Sequence, residues 1–217
     1  YEAARRGQLR KLGTRLYTRN LDEDPERLVR RNWYTLIASY YPDAIIADRT
    51  ALESKPAEDG SVFLISAKRR DTELPGLVLR PRTGPGALDS DRVFGGARLA
   101  STARAYLENL RPSRGRKDRT SRVIERGELE RRLDAMIRQQ GEAGVNRLRD
   151  DARRIAPELG YETEADGLDN LIGSLLGTRE AEMQSEIGKA RLAGHPFDPD
   201  RIRLFEGLFA RLRETMV

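Results

Sequence analysis

The chain has 217 residues, of which 38% are hydrophobic and 35% charged, so it holds enough apolar material for a core and is not a disordered chain. It has no cysteine, which excludes a disulfide framework and a thiolate zinc site. Its apolar runs all fall short of the ~20 residues of a membrane span. These features predict a cytoplasmic protein of one large or two small domains.

The net charge of +5 conceals two strongly basic segments. Residues 1–19 contain six Lys or Arg against one acid, and residues 111–122 again contain six against one. The rest of the chain is net acidic, with a concentration of acids at Glu158, Glu162, Glu164, Asp166 and Asp169. Basic segments are typical either of phosphate contacts or of solvated surface, and the sequence leaves both open.

Residues 7–19 predict a β-hairpin. Two short runs that carry Leu9, Leu12, Leu16 and Tyr17 flank Gly13 and Thr14, and a two-residue connection with glycine favours a tight turn. A basic hairpin suits the wing of a winged helix. An edge hairpin whose arginines only maintain solubility is an equal alternative.

The acidic residues 22–26 open a predicted amphipathic helix from Glu26 to Tyr40. Acids and proline at a helix start satisfy free N–H groups, so we interpret them as a cap and not as a metal site. Trp33 and Tyr40 are expected in the core and not as base-stacking platforms. The predicted apolar stripe contains Val29, Trp33, Leu36, Ile37 and Tyr40.

The centre of the predicted core lies in residues 44–66. Runs rich in β-branched residues at 44–47 and 61–66 predict buried strands around a short helical turn. Further strands are predicted at 76–81 and 97–100, and Ser101 or Thr102 is expected to cap a helix that ends at Leu110.

From Gly127 onward the pattern predicts helices. The apolar face of the first consists of Leu129, Leu133, Met136 and Ile137. The second stops near Pro157 and Gly160, and its apolar face consists of Val145, Leu148, Ala152 and Ile155. The third ends at Gly177, with an apolar face of Leu168, Leu171, Ile172, Leu175 and Leu176, and the fourth starts at Asp198. The predicted fold class is α+β. A winged-helix-like, mixed-sheet module (1–110) is followed by a basic linker (111–126) and an all-helical module (127–217).

Two stretches resemble known proteins. Residues 7–18, with the later Asp48-Arg49-Thr50-Ala51-Leu52-Glu53, resemble the winged-helix-containing antitoxins of the AbiEi type. The longer pattern, with residues 107–114 and 171–179, is similar to the amino-terminal region of Fic-family proteins that carry such a module. The resemblance implies a DNA-binding or regulatory part of a toxin–antitoxin system, with a Fic catalytic domain expected beyond Val217.

The catalytic signature of the Fic family is absent from this chain. That signature begins His-Pro-Phe and continues with a glycine-rich segment, whereas His195-Pro196-Phe197 is followed here by Asp198-Pro199-Asp200. Acids and prolines in that position would repel an anionic nucleotide, so His195 is predicted to precede a helix and not to act in catalysis. With one histidine and no cysteine, the sequence predicts no catalytic residue, no cofactor and no metal.

The leading hypothesis is a non-catalytic, DNA-binding transcriptional regulator of antitoxin type. Its predicted contacts to double-stranded DNA are phosphate contacts made by the two basic segments: Arg5, Arg6, Arg10, Lys11, Arg15, Arg19, Arg111, Arg114, Arg116, Lys117, Arg119 and Arg122. A second hypothesis is the regulatory part of a Fic-type adenylyltransferase, which predicts an exposed apolar patch or a homodimer. A third is a module that neutralises a cognate toxin through the acids at 158–169.

Overall fold

The computed structural model of the protein describes residues 6–113 and 119–192, with side chains described as far as Glu186. The strands are β1 (Arg10–Gly13), β2 (Leu16–Thr18), β3 (Ile45–Ile46), β4 (Ser61–Ile65), β5 (Thr72–Leu74), β6 (Leu77–Arg82), β7 (Arg92–Phe94) and β8 (Ala97–Leu99). The helices are α1 (Pro25–Arg31), α2 (Trp33–Tyr40), α3 (Asp48–Glu53), α4 (Thr102–Leu110), α5 (Arg126–Gln140), α6 (Glu142–Leu159) and α7 (Glu162–Leu192). The predicted α+β class with a helical carboxy-terminal part is confirmed.

A mixed sheet forms the centre of the fold, with strand order β5-β6-β4-β3-β8-β7. Strand β4 runs parallel to β6 and antiparallel to β3, which in turn runs parallel to β8. All five residues of β4 are buried, as expected for an apolar run covered on both faces. The sheet therefore places the ends of β4 and β6 beside helix α3, which follows β3 directly.

Each face of the sheet is covered by a different part of the chain. Ile46, Val62 and Leu64 face α1, α2 and the hairpin, where they pack with Val29, Trp33 and Ile37. On the opposite face, Ile45 and Ile65 pack with alanines of α3 and α4. The alternation along β3 and β4 follows from the two-residue period of a strand.

The predicted amino-terminal hairpin is present, with β1 and β2 antiparallel, but its turn lies at Thr14 and Arg15, one residue later than the predicted Gly13 and Thr14. Arg15 has a φ of +59°, a left-handed conformation that is unusual for arginine. Leu12 is buried in the core of the sheet and fixes the hairpin to it. The side chain of the neighbouring Lys11 consequently points away from the core and is exposed.

Three details of the predicted elements are wrong. The helix expected from Glu26 to Tyr40 is divided at Asn32, whose backbone N–H bonds Val29 O and whose side chain bonds Leu28 O. Such local hydrogen bonds compete with helix continuation. The helix expected to end at Gly177 continues to Leu192, because a glycine in a helix costs only about 1 kcal/mol. Strands β5 and β7, absent from the prediction, pair with β6 and β8.

Other details are confirmed. Asp24 caps α1 by accepting from Arg27 N at 3.2 Å, and Ser101 caps α4. Trp33 is buried and Tyr40 is half-buried. Between β3 and β4, α3 is the predicted short helix.

The chain divides into two compact units, Tyr1–Ile172 and Gly173–Val217. The first contains the sheet together with α5 and α6. The predicted helix from Asp198, together with His195, lies outside the described residues. Within the described ranges, 6–113 and 119–192, none of the helices is both long enough and apolar enough to cross a membrane.

Candidate nucleic-acid interface

The hairpin presents a basic, solvent-exposed side. Because Leu12 points into the core, Lys11 lies on the outward side, directly opposite Tyr17, which is 36% exposed. Arg15 in the turn and Arg19 after β2 are exposed as well. This side of the hairpin therefore combines cations with one exposed aromatic ring, which suits contact with a phosphate backbone and its sugars.

A second basic element lies next to the hairpin turn. The connection between β4 and β5 contains three consecutive exposed cations, Lys68, Arg69 and Arg70, which we call the basic loop. Lys68 Nζ donates to Tyr40 O at 2.6 Å, and the Tyr40 hydroxyl donates to Thr14 O at 2.6 Å. One residue of α2 thus joins the basic loop to the turn of the hairpin.

Two tyrosines keep the basic loop in place. The Tyr41 hydroxyl donates to Arg70 O at 2.8 Å and lies 2.7 Å from Thr72 Oγ1, while Lys68 Nζ lies 5.3 Å from the centre of the Tyr41 ring. Burial raises the pKa of Tyr40, so its hydroxyl remains a donor at neutral pH. The loop is consequently held through the backbone carbonyl of Arg70 and the ammonium group of Lys68, and the side chain of Arg69 is left exposed.

The basic loop also reaches the second basic segment of the sequence. Asp71, the residue that follows Arg70, accepts a hydrogen bond from Arg80 Nη1 at 2.9 Å, and its carboxylate lies 3.7 Å from Arg119 Nη1. Arg119 and Arg80 offset the negative charge of Asp71. The loop therefore lies between the hairpin and the segment that begins at residue 119.

Besides Arg119, three half-buried arginines among the predicted DNA contacts are bound to the protein itself. Arg10 donates to Glu23 O at 3.0 Å and also to Leu21 O. Arg111 packs 4.5 Å from the centre of the Tyr161 ring and 3.5 Å from a Glu164 carboxylate oxygen. Arg122 bonds Asp48 and the carbonyl of Pro112, as described below. These side chains are half-buried and hold their neighbours together.

The other predicted residues divide into two groups. Arg6, Lys11, Arg15, Arg19 and Arg119 are exposed. Arg5, Arg114, Arg116 and Lys117 lie outside the described residues. Within the described part, the exposed cations of the hairpin are brought beside the basic loop, whereas Arg111 and Arg122 turn inward.

A buried ionic network anchors the segment that carries Arg119. Asp48 is fully buried and accepts from Arg82 through both carboxylate oxygens, at 2.7 and 2.8 Å. Its Oδ1 also accepts from Arg122 Nη1 at 2.9 Å, and the next residue, Arg49, donates its backbone N–H to Arg122 O at 2.8 Å. The start of α3 thereby binds both the side chain and the backbone of Arg122.

The network continues into α4. Glu108 Oε2 accepts from the backbone N–H of Asp48 at 2.9 Å, and its Oε1 accepts from Arg104 Nε at 2.9 Å. Arg104 also donates to Asp91 Oδ2 at 2.7 Å and to the carbonyls of residues 85 and 86. A buried guanidinium is stable when it is paired and hydrogen-bonded, and these four hydrogen bonds satisfy most of the five N–H donors of Arg104.

Burial and neighbouring charges shift the pKa values of Glu108 and Arg82 in this network. Burial raises the pKa of Glu108, and the negative charge of Asp48 adds to that effect. Burial alone lowers the pKa of Arg82, but the hydrogen bonds and charge of Asp48 outweigh it and raise the pKa above its ordinary value. Because the carboxylates of Asp48, Asp91 and Glu108 are buried and bound by arginine, we interpret them as structural groups without access to a substrate.

A further carboxylate binds the same segment at the surface. Asp59 Oδ2 accepts from Thr120 N at 3.2 Å, and Oδ1 accepts from Ser61 N at 2.9 Å. Partial burial raises the pKa of Asp59, but these bonds outweigh burial and lower the pKa to about 2. Residues 120–122, which follow Arg119, are therefore held by Asp59 at one end and by Asp48 at the other.

The sequence contained a signal for the basic loop. Three consecutive cations between two predicted strands mark an exposed turn, but their proximity to the hairpin depends on Tyr40 and was not predictable from spacing. The pairing of Asp48 with Arg82 and Arg122 joins residues 34 and 74 positions apart, so sequence spacing does not indicate it. Within the described ranges, residues 6–113 and 119–192, no group of three acidic or histidine side chains could hold a metal ion.

Comparison with family models, with curated proteins and with solved structures gives no match to this chain.

Proposed function

We propose that the protein is a DNA-binding regulator that contacts the phosphate backbone through the hairpin and the basic loop. The observation that carries this proposal is the contact chain from Thr14 through Tyr40 to Lys68. It places Arg15 of the turn near Lys68, Arg69 and Arg70 without requiring any rearrangement. A cluster of cations on one surface is the electrostatic footprint expected of sequence-independent DNA binding.

The proposal changes which residues are expected to bind DNA. The hairpin cations Lys11, Arg15 and Arg19 remain candidates, and Arg69 and Arg70 of the basic loop join them, because Lys68 donates to Tyr40 O and holds the loop. Arg10, Arg111 and Arg122 are better explained as structural, because each is engaged by carbonyl or carboxylate groups. The antitoxin-type role that the AbiEi resemblance implies belongs to the same proposal. Base recognition is not part of it.

The hypothesis of a toxin-neutralising acidic surface has less support. Glu164 lies 3.5 Å from Arg111, and Asp169 pairs with Arg149 at 3.5 Å and with Arg153 at 2.7 Å. Acids already paired within the protein offer less charge to a partner.

The test is a fluorescence-anisotropy titration of a random-sequence DNA duplex at several salt concentrations. The triple variant Lys68→Gln, Arg69→Gln, Arg70→Gln is compared with the wild-type protein. Each lost phosphate contact reduces the magnitude of the negative slope of log K against log salt by about 0.9, so loss of the Arg69 and Arg70 contacts should reduce it by about 2. Its affinity at low salt should fall accordingly.

The matched control removes three cations elsewhere. Arg126, Arg131 and Arg138 are exposed on α5 and pair with acids of the same helix, so their change to Gln should leave the salt slope close to that of the wild type. Equal slopes for the two triple variants would refute the basic loop as a DNA contact. Absence of binding by the wild type at low salt would refute the proposed function.

A further inference from the structure

A cavity of about 330 Å³ lies in the first compact unit, away from the basic loop. Its walls are formed by the first turn of α4, the facing sides of α5 and α6, and the chain at the start of β7. This volume is at the lower end of the range of small-molecule sites, roughly 300–1,000 Å³. A ligand of mononucleotide size or smaller would fit.

The cavity has an excess of positive charge. Arg92 on β7 and Arg147 and Arg154 on α6 line it, and the carboxylate among its lining residues is Asp151. Asp151 Oδ1 accepts from Arg154 Nη2 at 2.8 Å, so that pair is matched. Among the described residues, Arg92 and Arg147 have no hydrogen bond or ion pair. Two guanidinium groups from different elements therefore remain for a ligand.

Neutral donors lie at the same cavity. The N–H groups in the first turn of a helix have no acceptor inside the helix. At the start of α4 the Ser101 hydroxyl accepts a hydrogen bond from one of them, Arg104 N. The N–H groups of Thr102 and Ala103 are thus available at the cavity wall. Ser90 also lines it, and its Oγ is buried without a hydrogen-bond partner among the described residues. A ligand oxygen would satisfy these donors.

The rest of the wall is apolar. Ala103, Leu148 and Ile155 are buried and line the cavity. A bare inorganic anion would leave this part of the cavity without contacts, whereas a small organic group would fill it. The chemistry is that of a site with a charged end and an apolar end.

We propose that this cavity binds a small organic phosphate monoester. The phosphate lies between Arg92, Arg147 and the amino terminus of α4, and the organic group lies against Leu148 and Ile155. Guanidinium groups match the oxygens of a phosphate dianion in a bidentate geometry, and a helix amino terminus favours the same charge. The site is separate from the DNA-contacting surface, and its ligand would regulate the protein or be carried by it.

The test uses ribose 5-phosphate, inorganic phosphate and ribose as probes in isothermal titration calorimetry with the full chain at low ionic strength. Ribose 5-phosphate is expected to bind with a dissociation constant below about 1 mM, inorganic phosphate more weakly, and ribose not at all. Arg147→Gln and Arg92→Gln should each weaken ribose 5-phosphate by about tenfold, since each removes a charge-assisted pair. Both side chains are exposed, so the variants should fold normally, and circular dichroism checks this.

The control variant is Arg131→Gln, which removes an exposed cation of α5 that pairs with Glu128. It should bind ribose 5-phosphate as the wild type does. The absence of binding, or equal binding by wild type and both cavity variants, would overturn the proposal. Equal affinity for phosphate and ribose 5-phosphate would overturn the assignment of the organic part.

A DNA titration separates this site from the proposed function. Arg147→Gln should leave the affinity for the random-sequence duplex unchanged. A loss of duplex affinity in that variant would show that the cavity contacts backbone phosphate and would overturn the small-ligand proposal. Ribose 5-phosphate binding by a protein that does not bind DNA would support the cavity and refute the proposed function alone.

Discussion

The buried ionic network and the basic loop use the same kind of side chain for opposite purposes. In the network, Arg82, Arg104 and Arg122 are bound by carboxylates of Asp48, Asp91 and Glu108, and they connect the sheet to α3, α4 and the segment after residue 119. In the loop, Arg69 is exposed and its side chain has no described partner. The charge of a segment therefore indicates little about the charge available to a ligand.

The difference follows from where the backbone is held. Arg82 on β6 and Arg122 bind the buried carboxylate of Asp48, and Arg104 on α4 binds the buried carboxylate of Glu108, so leaving these groups unpaired would be costly. The basic loop is fixed by Tyr40 and Tyr41 through hydrogen bonds and a ring contact, which frees most of its charge. Substitutions in the ionic network and in the basic loop therefore test this comparison directly.

The largest effect is expected for Asp48→Asn. This change keeps the shape of the side chain and removes the charge that Arg82 and Arg122 share, which leaves two half-buried guanidinium groups without their buried counter-ion. The free energy of unfolding should fall by about 3–5 kcal/mol in urea denaturation. Asp43→Asn, at an exposed position, is the control and should match the wild type. Equal stability of the two variants would show that the network contributes little.

A paired comparison of Arg122→Gln and Arg69→Gln should separate structure from binding. Arg122→Gln is expected to reduce the free energy of unfolding by about 1–3 kcal/mol, because it removes hydrogen bonds to Asp48 and Pro112 O. Arg69→Gln should leave stability unchanged and reduce the magnitude of the salt slope of duplex binding by about 0.9. Urea denaturation and anisotropy of both variants provide the measurement. The reverse pattern would contradict the division of the arginines.

A smaller effect is expected for Tyr40→Phe, which removes the hydroxyl that bonds Thr14 O. The loss of one hydrogen bond should reduce the free energy of unfolding by about 1 kcal/mol. Amide hydrogen exchange should rise at the turn around Arg15. Tyr17→Phe, which changes an exposed tyrosine of the same hairpin, should alter neither measurement. Unchanged exchange in Tyr40→Phe would show that the turn does not depend on this contact.

The smallest effect concerns pH. The pKa of Asp59 is lowered to about 2 in the folded protein, below its value in the unfolded chain. Its contribution to stability is therefore present above the unfolded pKa and is lost as the pH falls from about 4 to 2. Asp59→Asn should reduce stability slightly at neutral pH and flatten its dependence on pH in that window. Glu58→Gln, one residue away and also exposed, should keep the wild-type pH dependence.

Local patterns in the sequence determined most of the secondary structure. The β-branched runs at 44–47 and 61–66 specify buried strands, Gly13 and Thr14 specify a hairpin, and Asp24 and Ser101 cap helices through bonds to residues three positions away. These features depend on neighbours in the chain. For the same reason the buried faces of α5 and α6 were predictable, since apolar residues at helical spacing mark the side of a helix that is buried.

The tertiary structure alone decided the strand order and whether each cationic side chain is paired within the protein or exposed. Strands β3 and β8, separated by about fifty residues in the chain, are paired in parallel, and no local pattern selects that partner. Asp48 binds arginines from β6 and from residue 122, while Tyr40 brings Lys68 to the hairpin turn. Whether an arginine is structural or available depends on which carboxylate the fold places beside it, and that is a property of long-range packing.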